Sequence, residues 1–151
     1  MLAAALVAAA VLASPAHAAA SPQTTVIQLL NQQRAASGAG PLRADARLAK
    51  AARGHSRAIV KTHNFSHGSF VNRIKATGWM RGKRSWKVGE NLAWGEGAQA
   101  TPQAIVSAWM ASPPHRATLL NPAYHRVGIG IAAGVPSGAA DGATYTADFG
   151  S

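Results

Sequence analysis

The chain has 151 residues, no cysteine, 48% hydrophobic residues and a formal net charge of +10. Lack of cysteine excludes disulfides and thiolate catalysis, and only five acids leave little material for a glycosidase carboxylate pair. The charge is uneven: residues 34–87 hold thirteen of the fifteen Lys/Arg with one acid, Asp45, a bias that favours anionic partners or a solvated face.

Residues 1–20 are mostly small and apolar and end in Ala16-His17-Ala18, an A-x-A site, with Ala18-Ala19-Ala20 as a second. A signal peptide over 1–20, cut after 18 or 20, is the expectation, although no Lys or Arg precedes Arg34 to supply a basic leader. Pro15 and His17 interrupt the run before the length of about 20 residues that a membrane anchor needs. The sequence therefore predicts a secreted or envelope-associated protein, unanchored when mature, with one domain over 21–151.

Ser21-Pro22 caps a first helix carrying Val26, Leu29, Leu30 and Gln33 at helical spacing, ended by Gly38. Asp45 caps a second helix. There Leu48, Ala51, Ala52, His55 and Ile59 form an apolar stripe, and Lys50, Arg53, Arg57 and Lys61 form a basic ridge. His55 on the apolar stripe reads as a core histidine bonded to backbone or water. His63 and His67 are four apart, but Asn64 and Gly68 favour a turn, which makes His63 a surface residue.

Phe70–Thr77 is expected to form a short helix bearing Phe70, Ile74 and Ala76, followed by a basic loop, 78–87, with Trp79 and Trp86. Interleaved aromatics and cations can grip sugars, bases or lipid headgroups, or the two indoles can pin the loop to the core. Val88–Trp94 reads as a strand, and Thr101-Pro102 opens a helix that must stop near Ser112 because Pro113-Pro114 follow. Val127, Ile129 and Ile131 alternate with glycines, and Tyr145, Ala147 and Phe149 give a closing strand. Helices first and strands later imply an α+β domain.

Three segments place histidines and a scarce acid beside residues that fix backbone geometry: Phe65-Ser66-His67, Gly89-Glu90-Asn91, and Trp109 to Arg116 with Ser112-Pro113-Pro114-His115. With Leu30-Asn31, Arg34 and Gly128-Ile129-Gly130, this ordered set resembles the CAP family (cysteine-rich secretory, antigen 5 and pathogenesis-related proteins), especially its short bacterial secreted members. The resemblance implies a three-layer α-β-α sandwich with a small, mainly antiparallel sheet. It also implies a central cleft where His67, Glu90 and His115 converge, flanked by Asn91 and Ser112. A second glutamate is expected at the position of Ser112, so the usual His/Glu tetrad is incomplete. Glu96 could replace it only if Gly95 and Gly97 reversed the chain, since six strand residues span about 20 Å.

Two imidazoles and one carboxylate are a conceivable zinc set, with water in the fourth position. The competing expectation is that both histidines hydrogen-bond Glu90 without metal. Ligand binding is therefore favoured over catalysis, the candidates being a lipid or an anionic cell-wall polymer, held in the cleft or on the Lys50/Arg53/Arg57/Lys61 ridge. A metal-dependent hydrolase using His67, Glu90 and His115 is the alternative. A nucleic-acid-binding role, suggested by a pI near 11.5, lacks any binding module, so no nucleic-acid partner is expected.

Overall fold

The computed structural model describes residues 19–151; the expected leader over 1–18 lies outside the described residues. Helix α1 spans Pro22–Ala36, with the Ser21 hydroxyl accepting from Thr24 N–H at 3.2 Å and Pro22 in its first turn. A two-residue strand, β1 (Arg43–Ala44), leads into α2 (Ala46–Thr62). Asp45 Oδ1 caps α2 by accepting from Arg47 and Leu48 N–H, at 2.9 and 3.1 Å. His63 closes α2 in the left-handed region (φ 56°) and lies on the surface, as expected.

Helix α3 covers Phe70–Ala76 and buries Ile74 completely, whereas Ala76 is exposed. Strand β2 runs Val88–Glu96, two residues past its expected end, into a 3-10 turn at Gly97–Ala100. Thr101 and Pro102 start α4 (Pro102–Ala111). Pro113-Pro114 do stop α4, but they also open a further helix, α5 (Pro113–Leu120), which the sequence reading took only as a stop. Proline is as well suited to the first turn of a helix, where its missing N–H costs nothing, as it is hostile to the interior. Strands β3 (Arg126–Ala133) and β4 (Gly142–Gly150) complete the domain.

The sheet order is β1-β3-β4-β2; β1 is parallel to β3 and the other pairings are antiparallel. One face of β3 and β4 presents Val127, Ile129, Tyr145, Ala147 and Phe149 to a core built with α1, α4 and α5, including Leu30, Trp109 and Leu119. Each fully buried aliphatic there contributes about 1.5–3 kcal/mol of transfer free energy. On the opposite face Gly128 and Gly130 lie directly under α2, and Ser56 of α2 donates to Gly130 O at 3.1 Å. The result is the α-β-α sandwich that the resemblance implies.

The 78–87 loop splits the two expectations for its tryptophans. Trp79 is buried, stacked against Gly150 and donating Nε1–H to Asp45 Oδ2 at 3.1 Å, while Trp86 is 44% exposed. Among the described residues no helix is long and apolar enough to cross a membrane.

Candidate functional site

Alternation along β2 sends Glu90 to the α2 side of the sheet and Asn91 to the other. Glu90 is the hub: its side chain has no solvent exposure and three basic groups surround it. His67 Nδ1–H donates to Oε1 at 2.8 Å, and Arg73 of α3 donates to Oε2 at 2.5 Å. His55 Nε2 lies 4.0 Å from Oε1 but gives its hydrogen bond to Ser66 O at 2.9 Å. His55 is thus the backbone-bonded core histidine that its place on the apolar stripe suggested. Burial lowers its pKa first, with Arg73 and His67 adding to that and Glu90 and Ser66 opposing it.

His115 and Ser112 form a second unit at the start of α5. His115 Nδ1 and Ser112 Oγ are 2.8 Å apart, and Asn91 Nδ2 donates to His115 O at 3.0 Å. Desolvation lowers the His115 pKa, and the nearby His67 charge lowers it further. His115 therefore feels His67 electrostatically, but its ring is hydrogen-bonded to Ser112 rather than to Glu90. Glu96 stays at the far end of β2, exposed and paired in register with Gly142. It does not rejoin the site.

Two members of the site escaped the sequence. Arg73 sat unmarked in a long basic region, yet among the described residues it is the one guanidinium bonded to Glu90, and it also donates to His67 O at 2.8 Å. Asp148 is paired in register with Glu90 across β2 and β4 and is completely buried. As a carboxylate it has no hydrogen-bond partner at either oxygen. Protonated, its O–H can be given to Glu90, whose oxygens have acceptor capacity left. Burial, then the Glu90 charge and that hydrogen bond, push its pKa up to about 9, with Arg73 pulling the other way. The signal available in sequence was the position of Asp148 on the face opposite Tyr145, Ala147 and Phe149.

The proton on Asp148 couples to stability. Its folded pKa of about 9 lies above the ordinary Asp value of 3.8, so between those limits the folded protein holds a proton that the unfolded chain releases. Stability from this group is greatest below pH 4, falls as pH rises through the window, and levels off above 9. Asp148→Asn, which mimics the protonated acid, is expected to be increasingly more stable than the parent as pH rises. The gap should widen by at most about 1.4 kcal/mol per pH unit. Melting both proteins from pH 4 to 9 checks this; a constant gap would show that Asp148 ionises normally.

The donor set does not fit a metal. Both Glu90 oxygens are engaged by basic groups, His115 is tied to Ser112, and Arg73 places a fixed positive charge beside the carboxylate. Among the described residues no group of three or more His, Asp or Glu side chains is arranged to hold a metal ion. The zinc expectation for His67, Glu90 and His115 therefore finds no support in this geometry. What the arrangement does is fasten the 63–69 turn and α3 to the sheet.

Comparison with known proteins agrees with the fold. A family profile described as the cysteine-rich secretory protein family, CAP, matches residues 27–146. The uncharacterized protein YkwD of Bacillus subtilis is 37% identical over 111 residues, which are 70% of this chain and 40% of that protein. An extracellular protein containing a SCP domain from Bacillus anthracis superimposes with a TM-score of 0.69 at 25% identity, covering 85% of this chain and 39% of that one. An outer surface protein of Borrelia burgdorferi gives a TM-score of 0.66 at 20% identity, over 83% and 88% of the two chains. The chain thus spans about two fifths of the length of the two Bacillus relatives. With a profile match over most of its length and the same sandwich in its structural neighbours, the chain belongs to the cysteine-rich secretory protein (CAP) family.

Proposed function

We propose that this CAP domain is exported and acts as a non-catalytic binding module of the cell envelope, holding an anionic wall polymer or lipid surface through α2. The observation that carries this reading is the state of the ridge. Lys50, Arg53, Arg57 and Lys61 are all exposed on one helix, and every ion pair among the described residues is made by Glu90, none by these four. Four unneutralised cations along one helix face are costly in isolation and favourable beside a polyanion. Export is supported by the apolar run ending in Ala16-His17-Ala18 and by relatives described as extracellular or outer-surface proteins.

The His67/Glu90/Arg73 cluster supports a structural role over hydrolysis, because its carboxylate is enclosed and each of its oxygens already accepts from a basic group. Binding is the reading that leaves this network intact.

The test is charge reversal. Arg53→Glu with Arg57→Glu should weaken binding to acidic vesicles or wall polymer about 100-fold or more at low salt, since each cation near such a surface is worth about 1 kcal/mol. The difference should shrink as the screening length falls from about 10 Å at 0.1 M salt to about 3 Å at 1 M. Sedimentation binding assays at both salt levels read this directly. Equal binding by parent and variant at low salt would remove the ridge from the proposal.

A further inference from the structure

Four of the eleven basic residues outside the ridge are gathered in one place. Where the start of β3, the first turn of α2 and the 78–87 loop meet, a cavity of about 440 Å³ is lined by Arg47, Arg81, Lys83 and Arg126, with Trp79 and Asp45. We propose that this cavity is a phosphate-ester site, taking one phosphate together with a compact polyol substituent.

Charge is the first argument. All four cations are exposed, and no carboxylate lies within ion-pair distance of any of them among the described residues. Asp45, the acid in the lining, is already committed: Oδ1 caps α2 and Oδ2 accepts from Trp79. Four like charges gathered around one space repel one another unless an anion sits between them.

Rigidity is the second. Arg47 Nη1 donates to Gly78 O at 3.1 Å, which ties α2 to the loop. The Trp79 indole is held by Asp45 at one edge and by Gly150 against its ring, where an added Cβ would come within 2.4 Å. Lys83 Nζ stands 4.2 Å above that ring, in cation–π contact. The Trp79 side of the cavity is therefore fixed before any ligand arrives, which lowers the ordering cost of binding there.

Ligand chemistry follows from the donors. Guanidinium forks match the paired oxygens of carboxylate or phosphate, but three of them with an ammonium exceed what one carboxylate can accept. A phosphate offers more acceptor oxygens and more charge. The space also exceeds a bare phosphate and leaves the Trp79 wall for the carbon skeleton of an alcohol. Glycerol phosphate, whether in a wall polymer or in a lipid headgroup, has this chemistry.

Calorimetric titration with glycerol 3-phosphate at about 0.15 M salt, where screening acts within about 8 Å, tests the site. Saturable binding to the parent is expected, weakened about tenfold in Arg126→Gln and again in Lys83→Gln, as for loss of one charged hydrogen bond. The Arg53→Glu/Arg57→Glu protein should lose less than either cavity variant, because at about 1.5 Å per residue those positions lie about 9 and 15 Å along α2 from Arg47, at or past the screening length. Competition then identifies the source: displacement by soluble poly(glycerol phosphate) points to polymer, and displacement by phosphatidylglycerol vesicles points to lipid. Either result supports the site. Absence of saturable binding, or equal losses in the cavity and ridge variants, overturns it, and the second outcome leaves the ridge as the anion-binding element.

Discussion

Arg34→Ala is expected to destabilise the protein by about 3–5 kcal/mol and to lower its Tm by about 10 °C or more. Arg34 is completely buried in α1, with no carboxylate partner among the described residues. Its charge is spread over four backbone carbonyls instead. Nε donates to Gly40 O at 2.7 Å, Nη1 to Leu119 O and Asn121 O at 2.7 and 3.0 Å, and Nη2 to Tyr124 O at 3.0 Å. Burial lowers the Arg34 pKa, but a guanidinium starts so high that it stays charged. Truncation would strand several buried acceptors and release α1, the 37–42 turn and the end of α5 from one another. Arg34→Lys should recover less than half of the loss, because an ammonium cannot span four acceptors in a plane. Urea denaturation of the three proteins decides this. A loss below about 1 kcal/mol in Arg34→Ala would mean that water replaces the guanidinium.

Gly130→Ala is expected to cost about 3 kcal/mol or more, at the upper end for overpacked interiors. An added Cβ would stand 2.1 Å from Ala52 C and 2.3 Å from Arg53 N, both backbone atoms of α2 that no side-chain rotation can move. The helix would have to lift from the sheet. That would break the bonds of Ser56 Oγ to Gly130 O and Thr146 Oγ1, at 3.1 and 2.9 Å, and draw His55 away from Glu90. Gly54→Ala supplies the contrast. It lies on α2 itself with nothing within 4 Å of its added Cβ, so it should stabilise by about 0.5–1 kcal/mol through helix propensity. If both substitutions were neutral in chemical denaturation, α2 would not be seated on the glycine strand as described.

The sequence was most legible where a side chain acts on its own neighbours. Ser21 and Asp45 cap the helices they were expected to cap, Thr101-Pro102 starts the helix it was expected to start, and the α2 stripes divide into a buried and an exposed face as their spacing requires. Local rules misread Pro113-Pro114, because the same pair satisfies both a stop and a start. The site was legible only in part. His67 and Glu90 meet as the family resemblance implied, but Arg73 and Asp148 join them through register and helix docking, which no local pattern encodes. Asp148 occupies the strand face that is solvated in many antiparallel sheets; α2 covers it here. The Arg34 carbonyls were out of reach for a similar reason, since three of the four lie 85 to 90 residues away.

The strand order β1-β3-β4-β2 has a consequence for biosynthesis. The strand that bridges β3 and β2 is β4, which follows every other described element in the chain. Until residues 142–150 have left the ribosome, β2 has no partner in the sheet and the Glu90 carboxylate has no opposing strand. Emerging α1 and α2 can coil early, but the core that Tyr145, Ala147 and Phe149 complete cannot close until β4 is present. The sheet therefore closes only after residues 142–150 have been made, which puts its assembly at the end of the domain's synthesis.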